Sequence, residues 1–178
     1  MTTLLAISGS LRSASWNTRL LRALTALAPQ GVKIVQFNLS SLPFYNQDLD
    51  EGDRPVSVDA LRAAVDAADG VIFVTPEYNH SIPAVTKNAI DWLSRPFGNG
   101  HLRNKNVGIF VASIGPTSGS HCVAQTKDVV ELLENNVVTA INIGGIHEKL
   151  IERDGVDVLA HEETANVLRD ALSRFLTS

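Results

Sequence analysis

The chain has 178 residues, of which 44% are hydrophobic and 19% are charged, and its formal net charge at pH 7 is −4. This composition is typical of a globular protein with a sizeable core, so we expect a single domain over residues 1–178. The sequence has no basic stripe, which argues against a nucleic-acid partner, and no apolar run approaches the roughly 20 residues that a membrane span needs.

Apolar periodicity predicts five strands and five helices that alternate along the chain. The predicted strands are residues 4–7, 32–37, 71–75, 107–113 and 137–143. The predicted helices are residues 16–28, 57–68, 83–94, 121–134 and 165–175, with Ser57 as the cap of the second. We expect loops at residues 38–55 and 95–104, and a polar connection after residue 145.

This alternation predicts a parallel sheet with helices on both faces, joined by right-handed crossovers. The second strand has a half-exposed pattern that suits a sheet edge, whereas the first and third strands are apolar throughout. We therefore predict a doubly wound α/β fold with five strands in the order 2-1-3-4-5. A ligand is expected over the carboxyl ends of the first and third strands, where the strand order reverses.

The turn after the first strand combines hydroxyl groups with the start of a helix. Free backbone N–H groups and the positive end of the helix dipole favour a phosphate at such a place. The candidate phosphate ligands are Ser10, Arg12, Ser13, Ser15 and Asn17, of which the arginine can donate two hydrogen bonds to one phosphate. The same pattern is equally typical of a plain helix start that Ser13 or Ser15 caps, with Arg12 in solvent.

A different chemistry follows the third strand, where the sequence is PEYNHSIP. Pro76 constrains the backbone, and the Tyr78 ring together with backbone donors suits a flat heteroaromatic ring. Glu77 adds a carboxylate and Asn79 an amide. The turn after the fourth strand, residues 113–120, is rich in small residues that let a backbone approach a ring closely. A phosphate at one end and a flat ring at the other describe a mononucleotide, and FMN fits this description.

Two motifs resemble the NADPH-dependent FMN reductase family, a flavodoxin-like group that includes chromate, quinone and azo-dye reductases. They are GSLRSASWN at residues 9–17 and TPEYNHSIPAVTKNAIDW at residues 75–92. The residues 42–45 (LPFY) and 48–49 (DL) also resemble the long loop that this family has after its second strand. The resemblance covers most of the chain in length and element order.

The resemblance implies an enzyme that transfers a hydride from NADPH or NADH to bound FMN and then reduces a small acceptor, such as a quinone, free flavin, azo compound or chromate. It implies neither a catalytic side-chain acid or base nor a metal. The implied cofactor-binding residues are Ser10, Arg12, Ser15, Asn17, Pro76, Glu77, Tyr78, Asn79, Ser113 and Gly115. The main alternative is a flavodoxin-type FMN electron carrier without reductase activity of its own.

The same resemblance implies a homodimer or homotetramer in which the helix at residues 83–94 contacts a second subunit. The apolar arc of that helix suits packing on its own sheet equally well. With one cysteine, Cys122, and no export signal at the N-terminus, the chain is expected in the cytoplasm.

The turn at residues 113–120 lacks the arginine that family members carry after the fourth strand. Arg95, Arg103 and Lys105 are then candidates for binding the extra phosphate of NADPH, or are solvated charges. We interpret the acids at residues 48–53 as solvated turn residues rather than a metal site.

Other reactive groups near the expected site have a structural interpretation. Glu77 is interpreted as a carboxylate that fixes its loop or pairs across an interface, and Tyr78 as a wall of the ring pocket. His80 is interpreted as a surface histidine, and Cys122 as a packing residue rather than a redox thiol.

Overall fold

A computed structural model gives the structure of residues 1–115 and 119–178; residues 116–118, in the predicted turn after the fourth strand, lie outside this description. The strands are β1 (Thr2–Ser8), β2 (Val32–Phe37), β3 (Gly70–Thr75), β4 (Asn106–Ala112), β5 (Asn136–Ile143), β6 (Leu150–Arg153) and β7 (Val156–Leu159). The helices are α1 (Trp16–Leu27), α2 (Gln47–Glu51), α3 (Val56–Asp66), α4 (Ala84–Leu93), α5 (Ser120–Leu132), α6 (Ile146–Lys149) and α7 (Glu162–Ser173), followed by a 3-10 turn at Arg174–Leu176. None of the helices in these described ranges is long and apolar enough to cross a membrane.

The main sheet has the predicted parallel order β2-β1-β3-β4-β5. All six residues of β3 are buried, because β1 and β4 flank this strand and helices cover both faces. Strand β2 instead begins with alternating buried and exposed residues, as expected at an edge. Because parallel strands place their carboxyl ends at one edge, the loops after β1, β3 and β4 meet there.

The helices form two cores, one on each face of the sheet. Helices α1 and α7 pack on one face, and α3, α4 and α5 pack on the other. Successive side chains of a strand point to opposite faces. Leu4 and Ala6 of β1 therefore belong to the first core, and Leu5 and Ile7 belong to the second.

The apolar arc of α4 packs on its own sheet, which is one of the two predicted possibilities. Ala89, Trp92 and Leu93 are fully buried, and Ile90 is 1% exposed. The indole N–H of Trp92 also donates a hydrogen bond to the carbonyl of Pro43 at 2.8 Å. This helix thereby holds the long connection that follows β2.

That long connection differs from the predicted loop because it contains the helix α2. Asn46 caps this helix, and its side chain accepts a hydrogen bond from the backbone N–H of Asp48 at 2.9 Å. The prediction of Ser57 as a helix cap is wrong. Pro55 is the N-cap of α3, while the Ser57 hydroxyl donates to the carbonyl of Ser41 at 3.0 Å.

The prediction of a polar connection after β5 is also wrong, since α6 and an antiparallel β6–β7 hairpin occupy it. Asp154 and Gly155 at its turn have φ angles of 53° and 77°, as a type I′ turn requires. Asp157 of β7 accepts hydrogen bonds from the guanidinium groups of Arg19 and Arg22 at 2.5 and 2.6 Å. These bonds tie the hairpin to α1.

Candidate functional site

The loop between β1 and α1 is ordered by its own side chains. Ser15 is the N-cap of α1, and its hydroxyl accepts a hydrogen bond from the Thr18 N–H at 3.4 Å. The hydroxyl of buried Ser10 accepts a hydrogen bond from the Arg12 N–H at 3.4 Å. The hydroxyls of Ser8 and Thr18 lie 2.8 Å apart. The cap interpretation of Ser15 is thus confirmed, and a hydroxyl that accepts one bond still has its own proton to donate.

Asn17 joins this first loop to the end of β4. Its side-chain Nδ2 donates to the carbonyl of Ala112 at 3.0 Å, and its Oδ1 accepts from the Ala112 N–H at 3.1 Å. The side chain is almost completely buried. Because an asparagine amide carries two N–H donors, one donor remains beside the carboxyl edge after this pairing.

The loop after β3 forms a tight reverse turn. The backbone groups of Tyr78 and Ser81 exchange two hydrogen bonds, at 3.2 and 3.0 Å. Asn79 and His80 between them have φ angles of 52° and 58°, which is the left-handed pair of a type I′ turn. Asn79 and His80 lie at the exposed tip of this turn, while Pro76 at its base is buried.

Glu77 connects this second loop to the N-terminus of α5. Its carboxylate accepts a hydrogen bond from the Cys122 N–H at 2.9 Å and lies 3.5 Å from Nδ1 of His80. Burial alone raises the pKa of Glu77, but hydrogen bonds from the backbone of Cys122 and Gly119, with His121 and His80 nearby, bring that pKa below its ordinary value. The ionised carboxylate therefore fixes the loop, which is one of the two predicted roles of Glu77.

Further side chains of α5 hold the same loop. Gln125 accepts a hydrogen bond from the Ser81 hydroxyl at 2.7 Å and donates one to the His80 carbonyl at 3.0 Å. The Cys122 thiol lies 3.4 Å from the Pro76 carbonyl. Burial raises the pKa of Cys122 to about 11, with Thr126 acting against this rise. The side chain is fully buried, which agrees with its interpretation as a packing residue.

Gly9 is the point where the two loops touch. Its N–H donates to the carbonyl of Val74 at 2.8 Å. A Cβ atom at this position would overlap the hydroxyl groups of Thr75 and Thr86, which are both fully buried and lie 2.6 Å from each other. A residue without a side chain is therefore needed here for the first loop to reach the second.

The three loops line an open cavity of about 230 Å³ at the carboxyl edge of the sheet, here called the edge cavity. Eight predicted site residues line it, namely Ser10, Arg12, Ser15, Asn17, Pro76, Glu77, Tyr78 and Ser113. The structure thus brings residues from three separate segments to one place. The Arg12 side chain is exposed at this cavity, whereas the Glu77 carboxylate is engaged by α5.

The other two predicted residues lie beside the edge cavity. Asn79 is at the exposed tip of its turn, and the Gly115 carbonyl accepts hydrogen bonds from the Ser113 hydroxyl at 2.9 Å and the Gly145 N–H at 3.2 Å. Trp16, Ala112 and Ile114 line the cavity but were not predicted. Each of the three is next to a predicted residue in the sequence. An apolar residue beside a polar motif was therefore the signal that could have identified them as cavity residues.

The prediction that the acids at residues 48–53 are solvated is wrong for Asp50. Its carboxylate lies 2.8 Å from Arg62, 3.1 Å from Arg54 and 3.8 Å from Arg95. Burial raises the pKa of Asp50, but the hydrogen bonds and charges of Arg62 and Arg54 bring it below its ordinary value. Arg62 of α3 is itself a buried charge, and a buried charge needs an ionic partner. Asp50 is therefore held against Arg62 instead of in solvent.

Arg103 and Lys105 lie at the opposite edge of the sheet from the edge cavity, since they immediately precede the amino end of β4. Arg103 pairs with Glu134 at 2.6 Å. The Lys105 ammonium group donates to the carbonyl of Ala68 at 2.7 Å. Arg95 lies 3.8 Å from Asp50, and its buried Nε has no hydrogen-bond partner among the described residues. Arg103 and Lys105 are thus bonded within the protein, whereas Arg95 makes this longer ion pair instead.

Comparison with known proteins gives a family match over most of the chain. A sequence profile described as NADPH-dependent FMN reductase matches residues 2–147, a range that includes the three loops of the edge cavity. A quinone reductase of Escherichia coli is 33% identical over 154 residues, which cover 85% of this chain and 81% of that protein. An NAD(P)H-dependent FMN reductase of Pseudomonas aeruginosa is 47% identical over 92 residues, and this match spans half of that protein's length.

A solved structure resembles the whole chain. It is a flavoenzyme NAD(P)H:(acceptor) oxidoreductase from Paracoccus denitrificans, which superimposes with a TM-score of 0.87 at 30% sequence identity. The match covers 99% of this chain and 96% of that protein. An azoreductase of Bacillus anthracis has the same fold, with a TM-score of 0.66 at 19% identity.

Proposed function

The chain belongs to the NADPH-dependent FMN reductase family, and we propose that it is an FMN-dependent oxidoreductase that takes electrons from NADPH or NADH and passes them to a small acceptor. The observation that carries this proposal is the edge cavity. It is lined both by the turn after β1, which suits a phosphate, and by the loop after β3, which suits a flat ring. A quinone is the first acceptor to test, because several relatives are named quinone reductases. Free flavins, azo compounds and chromate are further candidates.

The first loop supports a site for the FMN phosphate. Ser10 and Ser15 act as acceptors within the loop, so their hydroxyl protons can turn to a ligand. Asn17 keeps one amide donor after pairing with β4. A doubly charged phosphate would therefore meet three neutral donors and the exposed guanidinium of Arg12, a set that charge-assisted hydrogen bonding favours.

The second and third loops support a site for the isoalloxazine ring. Tyr78 is 50% exposed and Ile114 is 64% exposed, and both line the edge cavity. A flat heteroaromatic ring would cover this apolar surface, with Pro76, Asn79, Ser113 and Gly115 at or beside its edge. FMN, when bound, supplies the two-electron chemistry, which the side chains of this protein do not provide.

The protein's own residues position the cofactor and substrates rather than exchange protons. Glu77 is held ionised by backbone N–H groups, and the Cys122 thiol is buried with a pKa of about 11. We assign no catalytic acid or base. The nicotinamide co-substrate and the acceptor would use the open side of the edge cavity one after the other, in a ping-pong order.

We also propose a single-domain chain that forms a homodimer or homotetramer in the cytoplasm. Leu11 and Phe44 are 55% and 77% exposed. Together with Val85 in the first turn of α4, they line an apolar pocket of about 170 Å³ that a second subunit would cover. A monomer by analytical ultracentrifugation would rule out this assembly.

A visible absorption spectrum with added FMN, recorded again after anaerobic NADPH, tests the proposed function. We expect a spectrum of bound flavin that loses its absorbance promptly when NADPH is added, followed by recovery with a quinone. Bound flavin that NADPH and NADH leave oxidised would indicate an electron carrier instead. A protein that takes up no FMN would overturn the proposal.

A further inference from the structure

A second cavity lies at the opposite edge of the sheet from the edge cavity, where α4 and α5 end. It has a volume of about 420 Å³, and we call it the amino-edge pocket. Its lining includes Arg103, which precedes β4, and Glu134, which precedes β5. Strand β4 has seven residues, is roughly 23 Å long and runs from this edge to the carboxyl edge. A molecule in the amino-edge pocket would therefore not touch a flavin in the edge cavity.

The walls of the amino-edge pocket are mainly apolar. Leu102 is fully buried, whereas Phe97 and Leu132 are 89% and 82% exposed, and all three line the pocket. Large apolar side chains that lie together in solvent mark a binding surface. A cavity of this size, lined by apolar side chains and a few polar groups, is typical of a site for a small molecule. The walls therefore suit a flat apolar ligand.

The two helices end at this pocket with their acceptors paired. The carbonyl of Leu93 in α4 accepts a hydrogen bond from the Leu102 N–H at 3.1 Å, and the carbonyl of Leu133 after α5 accepts one from Nδ2 of Asn135 at 3.3 Å. The last carbonyls of a helix carry its negative partial charge and otherwise favour a cation. Because protein donors already bind these carbonyls, the helix ends do not require a cationic ligand.

The charged side chains of the pocket leave one guanidinium weakly paired. Among the described residues that line it, Glu134 carries the one carboxylate, and Arg103 donates two hydrogen bonds to this group, at 3.0 and 2.6 Å. Arg95 also lines the pocket, but its nearest acidic partner is Asp50 at 3.8 Å, and Asp50 has two closer arginine partners. The pocket therefore offers a positive charge to a ligand.

We propose that the amino-edge pocket binds an aromatic carboxylate. The ring would lie against Phe97 and Leu132, where it would remove apolar surface from water. The carboxylate would pair with Arg95, since a guanidinium group binds a carboxylate through charge-assisted hydrogen bonds. This site is separate from the edge cavity, so the inference goes beyond the proposed function and does not rest on it.

Calorimetry with 2-naphthoate tests this inference, in the presence of saturating FMN so that flavin occupies the edge cavity. The comparison ligand is 2-naphthamide, which has the same rings and no charge. We expect the wild-type protein to bind the carboxylate more tightly than the amide. Arg95→Gln should lose roughly tenfold or more of the affinity for 2-naphthoate and keep most of the affinity for 2-naphthamide, because only the charged contact is removed.

Arg54→Gln is the matched control for the charge. Arg54 pairs with the same Asp50 at 3.1 Å but does not line the amino-edge pocket. This variant therefore reproduces any indirect effect of a missing arginine on Asp50. It should bind 2-naphthoate with the wild-type affinity.

A second pair of variants tests the apolar wall at exposed positions, where a folding defect is not expected. Leu132→Glu replaces part of the wall with a negative charge and should weaken the binding of 2-naphthoate roughly tenfold. Val56→Glu adds the same charge at an equally exposed apolar position of α3 outside the pocket. It should keep the wild-type affinity.

Three results would overturn the inference. The first is a wild-type protein that binds neither ligand, as expected if a second copy of the chain covers the pocket. The second is equal wild-type affinity for the carboxylate and the amide. The third is an affinity for 2-naphthoate that Arg95→Gln and Leu132→Glu lower no more than their controls do. Failure of the proposed function looks different, since the protein would then take up no FMN or would not be reduced by NADPH or NADH.

Discussion

The loops after β1 and after β3 line the same cavity, but they are held in opposite ways. The first loop is bonded mainly to itself and to the start of α1, and it leaves Arg12 exposed. The second loop is tied to a different helix, because Glu77 and Gln125 connect it to α5 on both sides of its turn.

This difference corresponds to what each loop is proposed to bind. A phosphate is attracted by the charge of a cation, and this attraction acts over several ångströms. Phosphate binding therefore does not require the cationic side chain to be held in one position. A flat ring gains binding free energy from close van der Waals contact. Such contact requires a loop whose backbone is already in its binding conformation. We therefore expect substitutions in the first loop to change phosphate recognition, and substitutions around the second loop to change stability and ring binding.

The largest effect is expected where the two loops touch. The substitution Gly9→Ala would push a methyl group into the buried hydroxyls of Thr75 and Thr86. It should lower the free energy of unfolding by about 3 kcal/mol, at the upper end of the usual cost of overpacking. Urea denaturation measures this value. Ser13→Ala, at an exposed position of the same loop, is the control and should stay within about 0.5 kcal/mol of wild type. Equal stability of the two variants would contradict this account of Gly9.

The variant Glu77→Ala removes a carboxylate that accepts hydrogen bonds from buried N–H groups at the start of α5. Because these groups lose their acceptor, the free energy of unfolding should fall by about 1–3 kcal/mol. Glu77→Gln keeps an acceptor and should cost less. The pKa of folded Glu77 lies below its ordinary value of 4.5. Its contribution is therefore fully present above about pH 4.5 and is lost as the pH falls through the lower pKa of the folded protein.

Urea denaturation at about pH 7 and about pH 3 checks the sign of this effect. The stability difference between wild type and Glu77→Gln should shrink at the lower pH, since the unfolded chain takes up a proton at Glu77 below about pH 4.5, whereas the lower pKa of the folded protein opposes this uptake. A difference that does not change with pH would show that the charge of Glu77 has no part in holding the second loop.

A smaller effect is expected for Gln125→Leu, which removes both bonds of the amide to the turn at similar side-chain volume. The free energy of unfolding should fall by about 1 kcal/mol, because the amide is only partly buried. Flavin fluorescence titrations should show weaker binding of riboflavin, with the difference between FMN and riboflavin unchanged. A change confined to that difference would mean that α5 acts on the phosphate end instead.

Most of the sheet could be predicted because its strands are short apolar runs whose burial follows from their place in the sheet. Strand β3 is apolar throughout and central, and β2 alternates and lies at the edge. The β6–β7 hairpin was missed because each strand has four residues of mixed polarity. It is held by the pairing of Asp157 with Arg19, which are 138 residues apart. The local signal for it was the Asp-Gly pair at its turn.

The candidate site could be predicted where a motif carries its own chemistry, as with the hydroxyls and guanidinium of the first loop. The role of Gln125 could not be predicted, because its partners Ser81 and His80 lie 44 and 45 residues earlier. The pairing of Asp50 with Arg62 was missed for the same reason, since it joins two helices whose packing is not visible in the sequence.

The measurement that tests the proposed site most directly is the binding of FMN and of riboflavin to wild-type and Arg12→Ala protein. The two ligands differ only in the 5′-phosphate, so their difference isolates the phosphate end of the site. We predict that wild type binds FMN more tightly than riboflavin, and that Arg12→Ala loses about 1–3 kcal/mol of FMN affinity without a matching loss for riboflavin. Equal losses for both ligands, or no loss for FMN, would contradict the placement of the phosphate at the first loop.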